Sequence, residues 1–325
     1  MRHIAGATAP PTDDYDADIV ILALDRAEET LAAIRSALDA TGISRHVTIL
    51  DQGSSAATLA RLAAAVAGRA DATLLAADRN YGVAGGRNRV TAFGHGRVIV
   101  GLDNDAEFAS VTTAAGMVSA LDTAPDLAAI GCRILRPDGG GDDLSSWGYP
   151  RALLLHAGDI FGSVTFVGAG HAIRRQAWDQ AGGYDDALFF CWEEYDFCLR
   201  AIALGWRVQY RGDLAVCHKV SAERRVGWSG SRWFHFVRNR LYIGRKQAAS
   251  PMRLAPRAAG YVLQGLRNGF LLTTLRAIQA ARSMPVDRPY APQAAATRAY
   301  LQRHDIVWRG SWPTRLRNDV FRALP

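Results

Sequence analysis

The chain has 325 residues, 49% of them hydrophobic and 21% charged, the balance of a soluble globular protein with room for one large α/β domain plus additions, or two domains. Its four cysteines, Cys132, Cys191, Cys198 and Cys217, form no C-x-x-C pair, which argues against a zinc site or a disulfide framework and fits a reducing cytosol. Residues 226–325 carry 16 Arg and 1 Lys against 3 Asp, a net of +14, so with +7 overall the first 225 residues carry 7 − 14 = −7. An acidic body with a basic tail points the tail at an anionic partner; the bland alternative is a solvated arginine-rich tail.

Residues 1–17, rich in acids and prolines and without an apolar stretch, read as a short flexible leader. The run Ala17–Leu24 is a buried strand, and Asp25–Ala40 follows with Leu31, Ile34 and Leu38 at helical spacing. A second strand, His46–Leu50, runs into Asp51-Gln-Gly-Ser-Ser55. There Asp51 can receive a ribose or base edge, or it can cap the next helix, Ala56–Ala67. After a third strand, Ala72–Ala76, comes Asp78–Arg89. Its Gly82, Gly85 and Gly86 permit close backbone approach, and Arg87 and Arg89 sit near a helix start, an anion-friendly arrangement. The spacing matches neither the dinucleotide fingerprint nor a P-loop.

The fourth strand begins at Val98 and ends in Asp103 and Asp105. On extended backbone, residues i and i+2 face one side, so both carboxylates can meet one ligand beyond the strand's end. Two hard oxygen donors suit Mg²⁺ or Mn²⁺, whereas Asp-Asn-Asp alone could be no more than a polar turn. Met117–Thr123 reads as a helix, Ala128–Leu135 as a strand and residues 137–143 as a loop. Further on, Glu193, Glu194 and Asp196 open a helix with apolar Phe197, Leu199, Ile202 and Leu204. Acids in a first turn are ordinarily dipole partners, but the preceding Phe189-Phe190-Cys191-Trp192 run would shield a carboxyl and raise its pKa toward the range useful for proton abstraction. Trp206–Tyr210 and Ala215–Val220 read as two strands, and His218, taken alone, as a structural histidine. Trp233–Ile243 and basic helical segments close the chain. The most apolar stretch, Tyr261–Ala280, is broken by Arg267, Asn268 and Arg276, so no membrane span is expected.

In this order the landmarks resemble a family 2 glycosyltransferase of the GT-A fold, of the rhamnosyltransferase-like group, over roughly residues 18–245. The resemblance implies a Rossmann-like, mostly parallel sheet flanked by helices as the catalytic domain, with residues 246–325 as a basic helical extension. It implies that Asp51 contacts the nucleotide base and that Asn80, Gly82, Arg87 and Asn88 form a nucleotide-side element, with Arg87 near the nucleotide. By the same resemblance Asp103 meets the ribose, Asp105 and His218 hold a divalent metal, and Glu194 is the base in Glu193-Glu194-Tyr195-Asp196…Arg200. Arg238-Asn239 match a further family pair. The chain departs at Ala23-Leu24-Asp25, where Thr-Tyr-Asn is usual, and at Glu194, where Asp is commoner.

Chemistry and resemblance together lead to an inverting transfer from a nucleotide-diphosphate sugar, UDP- or dTDP-linked, assisted by Mn²⁺ or Mg²⁺. The acceptor is expected to be a saccharide or a lipid-linked saccharide. Gly168 and Ala169 would leave room for the donor sugar, and Glu193 and Trp192 would face the acceptor, though Trp192 could equally be core. Basic residues interleaved with Trp228, Trp233, Phe234, Phe236, Trp308 and Trp312 suggest peripheral docking of a cytoplasmic enzyme on the anionic inner face of the membrane. Rival readings fare worse. A sugar-nucleotide pyrophosphorylase would need a glycine-rich signature near the first strand, and a nucleic-acid-binding protein would leave the acidic body and clustered carboxylates unexplained.

Overall fold

The computed structural model of the chain describes residues 1–219, 229–286, 295–311 and 314. Apolar runs too short for helices become strands buried on both faces: β2 (Ala17–Ala23), β3 (Arg45–Asp51), β4 (Ala72–Ala76) and β5 (Val98–Asp103). Each is parallel to its neighbour in the order β4-β3-β2-β5. Successive side chains point to opposite faces, so Ile19 and Ile21 join one core and Val20 the other. Helices α1 (Ala27–Leu38), α2 (Ala56–Val66) and α4 (Thr113–Asp122) cover the first face. The second is covered by α3 (Gly82–Thr91), α5 (Arg175–Ala181) and α6 (Glu193–Ala203).

The ten-stranded sheet is mixed. With β1 at Arg2–Gly6, its order is β1-β4-β3-β2-β5-β9-β7-β10-β6, and β8 (Ile160–Ser163) also pairs with β10 (Arg207–His218). Here β9 (Gly170–Arg174) is inserted antiparallel between β5 and β7 (Leu127–Leu135), and β6 (Ala106–Phe108) runs antiparallel to β10. The two strands read around residues 206–220 are one strand, β10, whose register slips between Arg211 and Ala215; Val220 lies outside the described residues.

The flexible leader needs correcting. Arg2–Gly6 forms β1, antiparallel to β4 and covering its open edge. Its side chains are exposed or only partly buried, which is why no apolar run marked it. Gly6 closes the strand at φ 79, where a Cβ would come within 2.2 Å of the Ala72 carbonyl.

Past the sheet, α7 (Gly230–Lys246), α8 (Pro251–Arg267) and α9 (Leu271–Ser283) pack together, followed by α10 (Ala295–His304). One face of α7 contributes Trp233, Val237 and Leu241 to a core shared with Ala277 and Ala281 of α9, while Tyr242 and Ile243 enter the core beside α6. The helix therefore belongs to both the sheet domain and the extension. Trp233 is fully buried and Phe234 and Phe236 pack against it, so these aromatics serve helix packing, not an interface with lipid. Trp308 is exposed; Trp228 and Trp312 lie outside the described residues.

Candidate active site

β5 delivers Asp103 at its end, and the turn into β6 delivers Asp105. Because His218 pairs with Ala106 across β10 and β6, the far end of the last strand returns to the same turn. The main chain locks this closure, Lys219 N donating to Asp105 O at 2.7 Å. One ligand atom each from Asp103, Asp105 and His218 lies within 4.8 Å of the others, and His218 Nε2 is 3.3 Å from Asp105 Oδ1. The other imidazole nitrogen, Nδ1, is 3.2 Å from both Asp143 Oδ2 and Ser146 Oγ. Ser145 and Ser146 donate to Asp143 in turn, at 2.5 and 2.7 Å. Burial works against a charged His218, but Asp105 and Asp143 outweigh it and push its pKa up to about 10.

Each strand-end carboxylate also has a guanidinium. Arg26 reaches Asp105 Oδ2 at 2.5 Å from a left-handed pair, Asp25 and Arg26 at φ 53 and 51, just before α1. Arg87, only 2% exposed, donates to Val20 O at 2.5 Å, Leu102 O at 3.1 Å and Asp103 Oδ1 at 2.9 Å. It braces Asp103 from inside and shows almost no surface of its own to a ligand. Asp51 accepts from Gly53 N and Ser54 N at 3.2 Å each, while its Oδ1 is buried without a partner. Ser55, not Asp51, caps α2, accepting from Thr58 N at 3.2 Å.

The start of α3 is not open to an anion. Val83 N and Ala84 N donate to the Phe189 carbonyl at 2.7 and 3.3 Å. Asn80 Oδ1 accepts from Gly82 N at 2.7 Å, and Asn88 bonds the main chain of Tyr184 and the side chain of Asp186. Val83, Ala84 and Asn88 tie α3 to the segment before α6. In that segment Phe189, Cys191 and Trp192 all have positive φ, at 61, 70 and 74, immediately before Glu193 and Glu194.

The two glutamates separate by exposure. Glu193 is 2% exposed and its Oε2 has no partner; burial and the neighbouring Glu194 push its pKa well up. Glu194 is partly exposed, and its Oε1 occupies the space beside Gly168, where a Cβ would come within 2.4 Å. Burial, with Asp103 adding and Arg87 opposing, pushes Glu194 up to about 7. The next residue, Ala169, accepts from Asp103 N at 3.2 Å, so one strip of backbone links Glu194 to the carboxylate cluster.

Residues 18–182, just over half of the chain, match the family described as Glycosyl transferase family 2. The chain belongs to that family. O-antigen biosynthesis protein RfbC of Myxococcus xanthus is 24% identical over 182 residues, which is 46% of this chain and only 13% of that protein. The mannosyltransferase PcManGT from Pyrobaculum calidifontis, solved in complex with GDP-Man and Mn²⁺, superposes with a TM-score of 0.55 at 16% identity, covering 97% of this chain and 87% of that one. GalNAc-T7, solved with UDP, GalNAc and Mn²⁺, gives a TM-score of 0.58 at 13% identity over 95% of this chain and 59% of its own. These likenesses show the shared GT-A fold. Among the described residues no helix is long and apolar enough to cross a membrane.

For this glycosyltransferase, two carboxylates and an imidazole, the latter oriented by Asp143, fit a divalent cation such as Mn²⁺ or Mg²⁺. Several sequence expectations shift. Burial removes Glu193 from an acceptor's reach, and the Ala169 methyl packs in the core instead of lining space for a sugar. The room at Gly168 is filled by Glu194. Trp192 is held, its Nε1 donating to Phe236 O at 3.0 Å and Arg240 lying 5.5 Å over its ring. Arg26, Asp143 and Ser146 carried no motif. Their roles arise from contacts distant in sequence that no local spacing announces.

Proposed function

We propose that this glycosyltransferase moves a sugar from a nucleotide-diphosphate donor to an acceptor hydroxyl with inversion, in the assembly of a polysaccharide or glycoconjugate. The observation that carries this reading is Glu194, part-exposed and resting on Gly168, one residue from the backbone that holds Asp103. Asp51, with its free buried oxygen, would take the base edge and Asp103 the ribose, with Arg87 fixing Asp103 from behind. Asp105 and His218 would hold Mn²⁺ or Mg²⁺, which supplies a Lewis acid for the leaving diphosphate. Glu194 would take the proton of the acceptor hydroxyl, and a single displacement inverts the anomeric carbon. A pKa near the working pH suits a general base. PcManGT was solved with GDP-Man and GalNAc-T7 with UDP; for this chain the proposal is a UDP- or dTDP-linked donor.

Beyond α7, helices α8 and α9 carry Arg253, Arg257, Arg267, Arg276 and Arg282 and no acid. Met252, Leu266 and Leu272 stand 84%, 61% and 70% exposed there. Apolar side chains among arginines suit an anionic bilayer surface, so the proposal includes a cytoplasmic enzyme peripheral to the membrane, acting on a saccharide or lipid-linked saccharide. The test is nucleoside-diphosphate release from a panel of UDP-, dTDP- and GDP-sugars, with Mn²⁺, Mg²⁺ or chelator. Metal-dependent release from one donor supports the reading. Release that chelator leaves untouched, or none with any donor, overturns it.

A further inference from the structure

The turn before the two glutamates is poorly suited to its own sequence. Phe189, Cys191 and Trp192 hold the left-handed backbone that side chains resist, three times within four residues. Such a turn persists only when its surroundings over-determine it. The clamp comes from α7. Asn239, fully buried, directs Nδ2 at three carbonyls, Leu188 O and Phe190 O at 2.8 Å and Cys191 O at 2.9 Å. Its own Oδ1 accepts from Arg238 Nε at 2.8 Å, which fixes the amide's sense, oxygen toward the guanidinium and nitrogen toward the turn. Arg238 Nη2 adds bonds to Ala187 O at 2.8 Å and Leu188 O at 2.9 Å. The Phe189 carbonyl, facing the other way, is taken by Val83 N and Ala84 N of α3, the helix whose Arg87 braces Asp103.

We infer that Asn239 is a positioning residue for transfer: through three backbone carbonyls it holds the turn that aims Glu194, and with α3 it keeps the base and the strand-end carboxylates in one frame. This rests on the reading of Glu194 as base. Asparagine suits the position because it offers a short neutral amide. Aspartate has the same size but places acceptors against three carbonyls, serine is too short, and glutamine carries its amide one methylene too far.

The test compares Asn239→Ala, Asn239→Asp, Arg238→Met and Trp233→Phe by turnover, by donor-nucleotide affinity in calorimetry, and by amide exchange of residues 188–194. Both Asn239 variants should lose turnover by about 10²-fold, the scale of a 1 Å misplacement, with donor affinity unchanged and exchange in the turn accelerated. Arg238→Met, a change at a part-exposed position, should show the same split more weakly and keeps the test open if the Asn239 variants do not fold. Trp233→Phe removes a bond from the same helix to Thr274 Oγ1 at 2.8 Å, away from the turn, and should leave turnover as it is. Full turnover in Asn239→Ala, equal losses of turnover and donor affinity, or an equal loss in Trp233→Phe overturns the inference. If the unaltered enzyme transfers no sugar, the functional reading fails on its own account. Unchanged exchange at residues 188–194 in Asn239→Ala would then still overturn the clamp.

Discussion

The strand-end carboxylates and Glu194 are placed on different principles. Asp51, Asp103 and Asp105 stand at or just past the ends of β3 and β5, parallel strands that flank β2, where sheet geometry brings them to one edge. Their partners, Arg26, Arg87 and His218, approach a frame already set. Glu194 lies in the first turn of α6, and the start of that helix is set by irregular backbone. It follows a turn of strained backbone held by α3 and by a helix some forty residues further on. A frame made of hydrogen-bonded strands tolerates change at its rim, whereas a clamped turn transmits the loss of one amide to the group it aims.

The sharpest way to separate the two is to disable one and leave the other. Glu194→Gln keeps the shape but cannot accept a proton, so turnover should fall by roughly 10²–10⁴-fold while nucleotide affinity holds. Near-normal turnover would move the base elsewhere and dissolve the contrast. The reverse change is Asp143→Ala. It removes the carboxylate behind His218 Nδ1 without touching Glu194, and orienting partners of this kind are worth about 10–100-fold in metal affinity. Titration of Mn²⁺ in the presence of nucleoside diphosphate measures this; unchanged affinity would show that Asp143 orients nothing that matters to the metal.

The same contrast explains what could be read in advance. The strand ends were legible because short apolar runs closing in Asp or Asp-x-Asp carry their geometry with them. Glu194 was legible through its neighbours in the chain, as was the shielding by Phe189 to Trp192. The left-handed turn was not, since Phe, Cys and Trp are poor candidates for positive φ, and the groups that hold it, Asn239, Arg238 and the α3 amides, lie far off in the chain. β1 was missed because an edge strand with exposed side chains lacks an apolar run, and β9 because its sequence does not say that it will pair antiparallel between β5 and β7. Trp233, Phe234 and Phe236 were misassigned to a lipid interface for a related reason: composition shows that Trp233 is apolar, not that α9 covers it.

A pH profile sharpens the comparison next. Burial raises Glu194 to about 7, so the folded protein keeps its carboxyl neutral below that value and a base must first lose the proton. Transfer measured at saturating donor and metal should therefore climb with pH through about 7, losing about tenfold for each unit below it. Asn239→Ala should flatten this limb toward lower pH as the loosened turn admits water to the carboxyl. An acid limb that stays near 7 in Glu194→Asp and in Asn239→Ala alike would assign it to another group.

The smallest effect concerns neither the strand-end carboxylates nor Glu194 but the helices beyond α7. Each arginine near anionic lipid contributes about 1 kcal/mol, close to fivefold in partitioning, so Arg276→Gln on α9 should weaken vesicle binding by about that factor. Flotation of the full chain with vesicles containing an anionic phospholipid measures it. Binding should need the anionic lipid and weaken with salt, because exposed charges are screened within a Debye length. Leu272→Ser, which removes an exposed apolar side chain one turn away, should weaken binding without changing its salt dependence. Both variants lie outside the catalytic groups, so transfer to a soluble acceptor should not change. Flotation indifferent to lipid charge would make α8 and α9 structural, and would turn the search for an acceptor from the membrane to soluble saccharides.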